Sequence, residues 1–361
     1  MAAIEPAVIE PAVPTTPVHL TRLRPLDMGR MLDQAIRLYR RNFARFLVIA
    51  ALVQLPSAVI ILLSTSGTLL ATFEMDPARM DVNRVLGMSG ILFVMSILSA
   101  AWAQFGACVL TQSASDAYLG APSPLRSAVR RAGRAWLAVL AAYLLAFLTI
   151  IPLVILFIIP IIGWLAAIPG TGMVAYFMAV ILPLMVPVIV IEKRTGRQGI
   201  ARAWHLARAR FWWMFGFFSI LWLFSVLVVQ GPLYLLTSVL SLVGDATLSP
   251  ALLGVLSALI SFLLGVIYYP ISVASAMLVY YDARVRHEGF DLALRTLPPE
   301  NDGWESVDAL LRTPPATSQR FRPTWGEVGA FSLIAIVAGV LFVAFALITS
   351  VTMLPLLQTG F

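Results

Sequence analysis

The sequence predicts an all-α fold: a polytopic transmembrane helical bundle made of three repeats of an interfacial amphipathic helix plus two spans, with an additional C-terminal span. Three observations predict it. Hydrophobic residues fill 60% of 361 positions and charged residues only 12%, so a soluble chain of this composition would lack the polar groups to cover its own surface. The apolar residues fall in long charge-free runs, each near the roughly 20 residues that cross a hydrocarbon core about 30 Å thick. The basic residues alternate with those runs.

The first element is the N-terminal arm. Residues 1–23 hold IEPAV twice in tandem and are rich in proline and alanine. They show neither the early positive charge nor the apolar core of a signal peptide, and read as a disordered cytoplasmic arm. A six-span membrane domain occupies 24–295, with repeat units at about 26–112, 123–192 and 198–281. Its spans are Phe43–Leu63, Val85–Val109, Trp136–Ile159, Trp164–Ile191, Phe211–Leu242 and Ala251–Tyr281. No charge lies between Arg134 and Glu192, a stretch too long for one crossing. Pro160, Gly163 and the run Pro169-Gly170-Thr171-Gly172 divide it, as Gly244-Asp245 and Pro250 divide 211–281. A cytoplasmic linker comes next at 296–326, with one short helix near Trp304–Arg312. Residues 327–361 hold the seventh span, Val328–Leu354, and a short external tail.

Charge sets the orientation. The net charge of +7 comes from 24 arginines and the single lysine, Lys193. With the N-terminus inside, 23 of the 25 basic residues fall in inner segments, and only Arg79 and Arg84 fall outside, as the positive-inside rule requires. Seven spans then leave the C-terminus outside. Trp136, Trp164, Trp212, Trp213, Tyr280, Tyr281 and Trp325 sit at predicted span ends, where amphipathic rings favour the interface.

The inner segments are amphipathic. Met28, Met31, Leu32, Ala35, Ile36, Leu38, Tyr39 and Phe43 share a helix face opposite Arg30, Asp33, Gln34, Arg37, Arg40 and Arg41. Leu125, Val129, Ala132 and Trp136 oppose Arg126, Arg130 and Arg134, and Ile200, Trp204, Ala207 and Phe211 oppose Arg202 and His205. All three place apolar residues at i, i+4, i+7 and i+11 with alanine at i+3, which is the basis for the repeat. The arginines are read as contacts for anionic lipid headgroups or a partner protein.

Chemistry is sparse. There is no phosphate loop, no H-E-x-x-H and no C-x-x-C, and Cys108 lies in an apolar run. No cofactor and no metal are implied. No charged side chain or histidine falls in the interior of a predicted span, Arg45 lying at the very start of the first, which speaks against ion-coupled transport. Gln54, Gln104 and Gln230 are the buried polar candidates, serving either as interhelical hydrogen bonds or as contacts to a ligand. Prolines at 56, 152, 169, 183, 187, 232 and 270 either kink helices or open a cavity between repeats. The basic face lacks any nucleic-acid motif, so membrane lipids are the expected partners, with other membrane proteins beside them.

The run LVYYDARVRHEGFDLALR at 278–295 is the densest in ionisable groups. It reads as a helix leaving the membrane, with Asp282–Arg286 and Arg284–Glu288 pairs one turn apart. Gly289 is placed to stop it in a left-handed cap against Phe290, with Asp291 capping the segment beyond. The alternative is a docking site on the inner face, with Asp282, Arg284 and Arg286 as its charges.

Three stretches, RPLDMGRMLDQAIRLYRRNF (24–43), GRQGIARAWHLARARFWWMFG (196–216) and LVYYDARVRHEGFDLAL (278–294), resemble the bacterial integral-membrane family named for the glycerophosphoryl diester phosphodiesterase membrane domain. The resemblance spans about residues 24 to 295 and implies a six-span fold in a bacterial cytoplasmic membrane. The catalytic barrel carried by some members is not found in this chain, and the seventh span departs from the pattern. The expectation is therefore a non-enzymatic scaffold, assembly or regulatory partner in the inner membrane. The alternative is a transporter or lipid-handling protein with a cavity between the helical repeats.

Overall fold

The computed structural model describes residues 24–73, 82–120, 124–159, 161–242, 250–296, 304–313 and 323–358. The predicted arm, Arg79, the break at Gly244-Asp245, most of the linker and the end of the external tail lie outside these residues. Among the described residues all regular structure is helical.

α1 (Met28–Arg41) buries Met31, Ala35, Leu38 and Tyr39 of the predicted apolar face, while Ile36 and Phe43 of the same face are exposed. Asn42 ends the helix, donating its side-chain amide to the Leu38 carbonyl at 3.1 Å beside its own backbone N–H, which reaches the Leu38 and Tyr39 carbonyls. α2 (Phe43–Phe73) and α3 (Val82–Leu119) come next. α3 runs ten residues past its expected end at Val109 because its last turns face inward, burying Thr111, Ser113, Ser115 and Asp116. α4 (Leu125–Leu148) departs from expectation. The segment carrying Arg126, Arg130 and Arg134 is the first part of the span itself, not a separate interfacial helix. Nothing between Arg134 and Trp136 stops the helix as Asn42 does.

Beyond it lie α5 (Ile150–Phe157), α6 (Ile162–Tyr176), a π-helical turn at Phe177–Ile181 and α7 (Leu182–Glu192). The break between the third and fourth spans falls at the turn around Ile161, which has φ +65°. The Pro169–Gly172 run predicted to share in that break lies within α6. There the Thr171 hydroxyl donates to the Ala167 carbonyl at 2.8 Å. A proline removes one N–H from the ladder, and α6 continues through it.

The chain continues through α8 (Gly196–Arg208), α9 (Phe211–Ser225), a second π-helical turn at Val226–Gln230, α10 (Gly231–Leu242) and α11 (Pro250–Glu288). Short helices α12 (Phe290–Arg295) and α13 (Trp304–Arg312) lead to α14 (Trp325–Gln358). Gly289 has φ +62° and separates α11 from α12 as predicted. Asp291 lies in the first turn of α12 rather than at its cap.

Six helical columns among the described residues are long and apolar enough to cross a membrane: Phe43–Ser64, Leu86–Leu119, Leu125–Ile155, Leu165–Glu192, Phe211–Leu236 and Gly254–Glu288. Trp325–Leu341 of α14 is a shorter apolar stretch. The architecture is that of a multi-pass membrane bundle.

α7 is the central column, buried at every residue except Pro183 and surrounded by α3, α4, α8 and α11. α11 lies along α2, and α14 lies along α6. Close packing is concentrated at the arginine-rich end, where α1 and α8 bury their apolar faces against protein rather than lipid. Toward the other end the columns present leucine, isoleucine and phenylalanine outward, as at Leu144, Phe147, Ile155, Leu227 and Leu235.

Candidate functional site

Two constellations of polar groups stand out. One is a set of ion pairs at the arginine-rich end, and the other is an uncharged cavity deeper in the bundle.

At the arginine-rich end, α7 delivers Glu192 with its side chain fully buried. A capping box of Thr195 and Gln198 starts α8 and turns Arg202 inward, where its Nε lies 3.2 and 3.3 Å from the two Glu192 oxygens. Arg194 reaches the same carboxylate at 2.8 Å, and the Tyr280 hydroxyl donates to it at 3.1 Å. Arg202 also pairs with Glu288. Arg284, 2% exposed, donates to Glu288 at 3.1 Å, to Tyr280 at 3.1 Å and to the Leu311 carbonyl of α13 at 3.0 Å. Two carboxylates and three guanidiniums thus join α7, α8, α11 and α13. Buried charges persist only when paired and hydrogen-bonded in this way.

A second group centres on Asp282. It accepts from Arg286 at 3.0 Å, from Arg210 at 3.3 Å and from the Leu26 amide at 2.8 Å, while Arg286 donates to the Leu26 carbonyl at 3.0 Å. A third joins Asp116 to Arg131 and to Gln112 (2.9 Å), with Ser115 hydrogen-bonded to Tyr281 at 2.7 Å. At the rim Lys193 lies 3.7 Å from Asp308. Its ammonium is pushed below the usual lysine range by burial and then by the nearby guanidiniums of Arg312, Arg131 and Arg134. Burial likewise lowers Arg210 and raises Tyr39.

Arg202, Asp282 and Arg284, predicted to meet headgroups or a partner, are buried within these pairs. Their partners Glu192, Glu288 and Arg210 come from other helices or the next turn, so the charges are consumed inside the fold. Tyr280 and Tyr281 are buried against protein as well. Arg286 is partly exposed, and the predicted pairs Asp282–Arg286 and Arg284–Glu288 are both present. Arg37, Arg40, Arg41, Arg130 and Arg134 do lie on the surface, with exposed Ile36, Phe43 and Val129 beside them. Arg37 shares its charge with Asp33 at 2.5 Å.

The second constellation is a cavity of about 330 Å³ between α2, the end of α9 and α11. Gln54 lines it with the hydroxyls of Ser57, Ser225, Ser261, Tyr268, Tyr269 and Ser272. Ser57 is hydrogen-bonded to Ser99 of α3 at 3.1 Å, Tyr269 donates to the Ala103 carbonyl at 2.9 Å, and Tyr268 donates to the Leu221 carbonyl. No charged side chain lines it. Ser272 lies ten residues from Asp282, and Gln54 nine from Arg45. At a rise of about 1.5 Å per residue both are about 14–15 Å from the charged end, and Ser261 is about 30 Å from Asp282. The cavity therefore sits in the middle of the span.

Beside it lies a larger crevice of about 900 Å³, walled by α6 and its π turn, α9, α11 and α14. Its lining is apolar, including Met178, Phe218, Trp222, Ile334 and Val337. The two spaces share Ser225, Tyr268 and Ser272 as a common wall. π-helical turns flank them at Phe177–Ile181 and Val226–Gln230, each adding a residue that spreads the helix and often marks a functional site.

Of the three glutamines predicted as buried polar candidates, Gln54 alone lines this cavity. Gln104 instead faces Tyr143 as a hydrogen-bond partner, and Gln230 is exposed on its π turn. The hydroxyl set went unread, although Ser261, Gly265, Tyr268 and Ser272 carry the helical spacing of four, three and four on one face of α11. Among the described residues no group of three His, Cys, Asp or Glu is placed to hold a metal ion. No protein-family model matches the chain, and no curated protein or solved structure matches it either.

Proposed function

We propose that this chain is a non-enzymatic, lipid-handling membrane protein that accommodates a lipid between its helices. The supporting observation is the mid-span polar cavity that shares Ser225, Tyr268 and Ser272 with a large apolar crevice. A polar recess beside an apolar slot matches an amphiphile, and the larger space falls in the range of about 300–1,000 Å³ typical of small-molecule sites. The wider frame comes from the arginine map and the resemblance: a bacterial cytoplasmic membrane, the N-terminus and the arginine-rich end inside, and α14 as a seventh crossing. The three-fold repeat belongs to the same reading, with the second interfacial helix fused to its span. The exposed Arg37, Arg40, Arg41, Arg130 and Arg134 serve as contacts to anionic headgroups, each worth about 1 kcal/mol at such a surface.

The test is lipid retention. The full chain, purified in mild detergent and weighed intact by native mass spectrometry, is expected to keep lipid adducts. Ser261→Phe, which fills the cavity, is expected to lose most of them at an unchanged melting temperature. Equal retention in both proteins overturns the proposal. A scaffold role is the second reading, favoured by the interlocked ion pairs that fix four helices at one end. It requires neither cavity nor lipid.

A further inference from the structure

Resting on the lipid-handling reading, we infer that the occupant is an uncharged amphiphile, a long-chain alcohol or ester, whose hydroxyl or carbonyl sits in the cavity beside Gln54 while its chain lies in the adjoining crevice.

The chemistry of the lining selects the head. Six hydroxyls and one carboxamide face the cavity, and none of its residues bears a charge. An amide offers two donors and an acceptor, and a hydroxyl offers one donor with two acceptor positions. Ser57, Tyr268 and Tyr269 are already engaged with helix partners. Gln54 has no hydrogen bond from its side chain among the described residues, although it is held at mid-span, where an unpaired amide is costly. A hydroxyl or ester carbonyl satisfies it. A phosphate or carboxylate does not fit, since it would arrive without a counter-charge in a medium that penalises unpaired ions heavily.

The position within the fold makes the same selection. The nearest charges along the lining helices, Asp282 and Arg45, lie about 14–15 Å away toward the arginine-rich end. Anionic headgroups are met there, by exposed arginines. The inner cavity serves the molecules those arginines do not hold. The tail goes to the crevice, whose wall is formed by Phe218 and Trp222 on one side and by Ile334 and Val337 of α14 on the other. The threshold between head and tail is Tyr268, with its hydroxyl fixed to the Leu221 carbonyl.

The experiment places the full chain in phosphatidylcholine nanodiscs with one of two photoreactive probes: hexadecanol or phosphatidic acid, each carrying a diazirine on the chain carbons next to its head group. Adducts are mapped by peptide mass spectrometry. Hexadecanol is expected to label peptides around 54–61 and 218–225, with at least about tenfold more adduct there than phosphatidic acid, the worth of one hydrogen bond in a dry site. Gln54→Leu is expected to abolish that preference, while Gln104→Leu leaves it intact. Equal or stronger labelling of the cavity by phosphatidic acid overturns the uncharged head and leaves lipid handling standing. Labelling by neither probe, with lipid adducts also missing from the native mass spectrum, overturns both. Labelling of the crevice alone, with no dependence on Gln54, overturns the assignment of the head to the cavity.

Discussion

Glu192, like Asp282, takes hydrogen bonds from three donors at the arginine-rich end, in its case Arg194, Arg202 and Tyr280. Its replacement leaves Arg202 buried with one carboxylate instead of two. Breaking a buried pair on one side costs about 3–5 kcal/mol, whereas replacing both partners by apolar groups is close to neutral. Glu192→Met is therefore expected to destabilise the purified protein by that amount, and adding Arg202→Met is expected to recover much of the loss. Denaturant titration of the four proteins in a double-mutant cycle measures the coupling, and additive losses would mean that the pair contributes nothing. Sequence periodicity assigned Arg202 to a polar face because its neighbours at 3–4 residue spacing suited an interfacial helix. What turns it inward is Glu192 on the preceding helix and Glu288 on α11, contacts that no local pattern carries. The Asp282–Arg286 and Arg284–Glu288 pairs were legible because both partners lie on one helix a turn apart.

At the scale of the element, α14 is held to α6 by a close backbone approach. A Cβ added at Gly172 would overlap the backbone of Phe331, whereas Gly329 on α14 has open space around it. Arg208 adds an ion pair to Glu327 at 2.6 Å. Gly172→Ala is expected to cost about 1–3 kcal/mol through overpacking and to lower the melting temperature. Gly329→Ala is expected to leave it unchanged or slightly higher. A melting temperature unaffected by Gly172→Ala would mean that α14 does not rest on α6. The helical columns were legible in the sequence because charge-free runs of this length have few other solutions. Their ends were less so. Pro169 sits inside α6, where it removes a single N–H from the ladder and the helix continues through it, and α4 starts at Leu125 because nothing halts it before Trp136. The two π turns leave no mark in the hydrophobic pattern.

Over the whole molecule, the alternation of arginines fixes an expected orientation that six crossings and α14 together can be asked to meet. A reporter fused after Phe361 is expected to be active on the outer side and one fused within the 314–322 segment on the inner side. A cytoplasmic readout at Phe361 would remove α14 from the count of crossings. The helical class and the crossing columns were legible in the sequence. The cavity was only half legible, since Gln54 belongs to it and Gln104 and Gln230 do not. A side chain's rotation about its helix axis is set by which neighbours it packs against, and those neighbours lie far away in sequence.

That distance has a further consequence in the tie between Leu26 and the end of α11. The Leu26 amide is held by Asp282 and its carbonyl by Arg286, across 256 and 260 residues. During synthesis the face of α1 bearing Met31, Ala35, Leu38 and Tyr39 is made first, and the partner it needs on α11 is made near the end of the domain. Contacts of such long sequence separation close late, after the loop entropy between them has been overcome. Until then α1 has only its smaller contacts with α2 and α3 to cover that stripe. The tie from Asp282 and Arg286 to Leu26 is thus a late-closing contact, which seats α1 on the bundle only once α11 has been made.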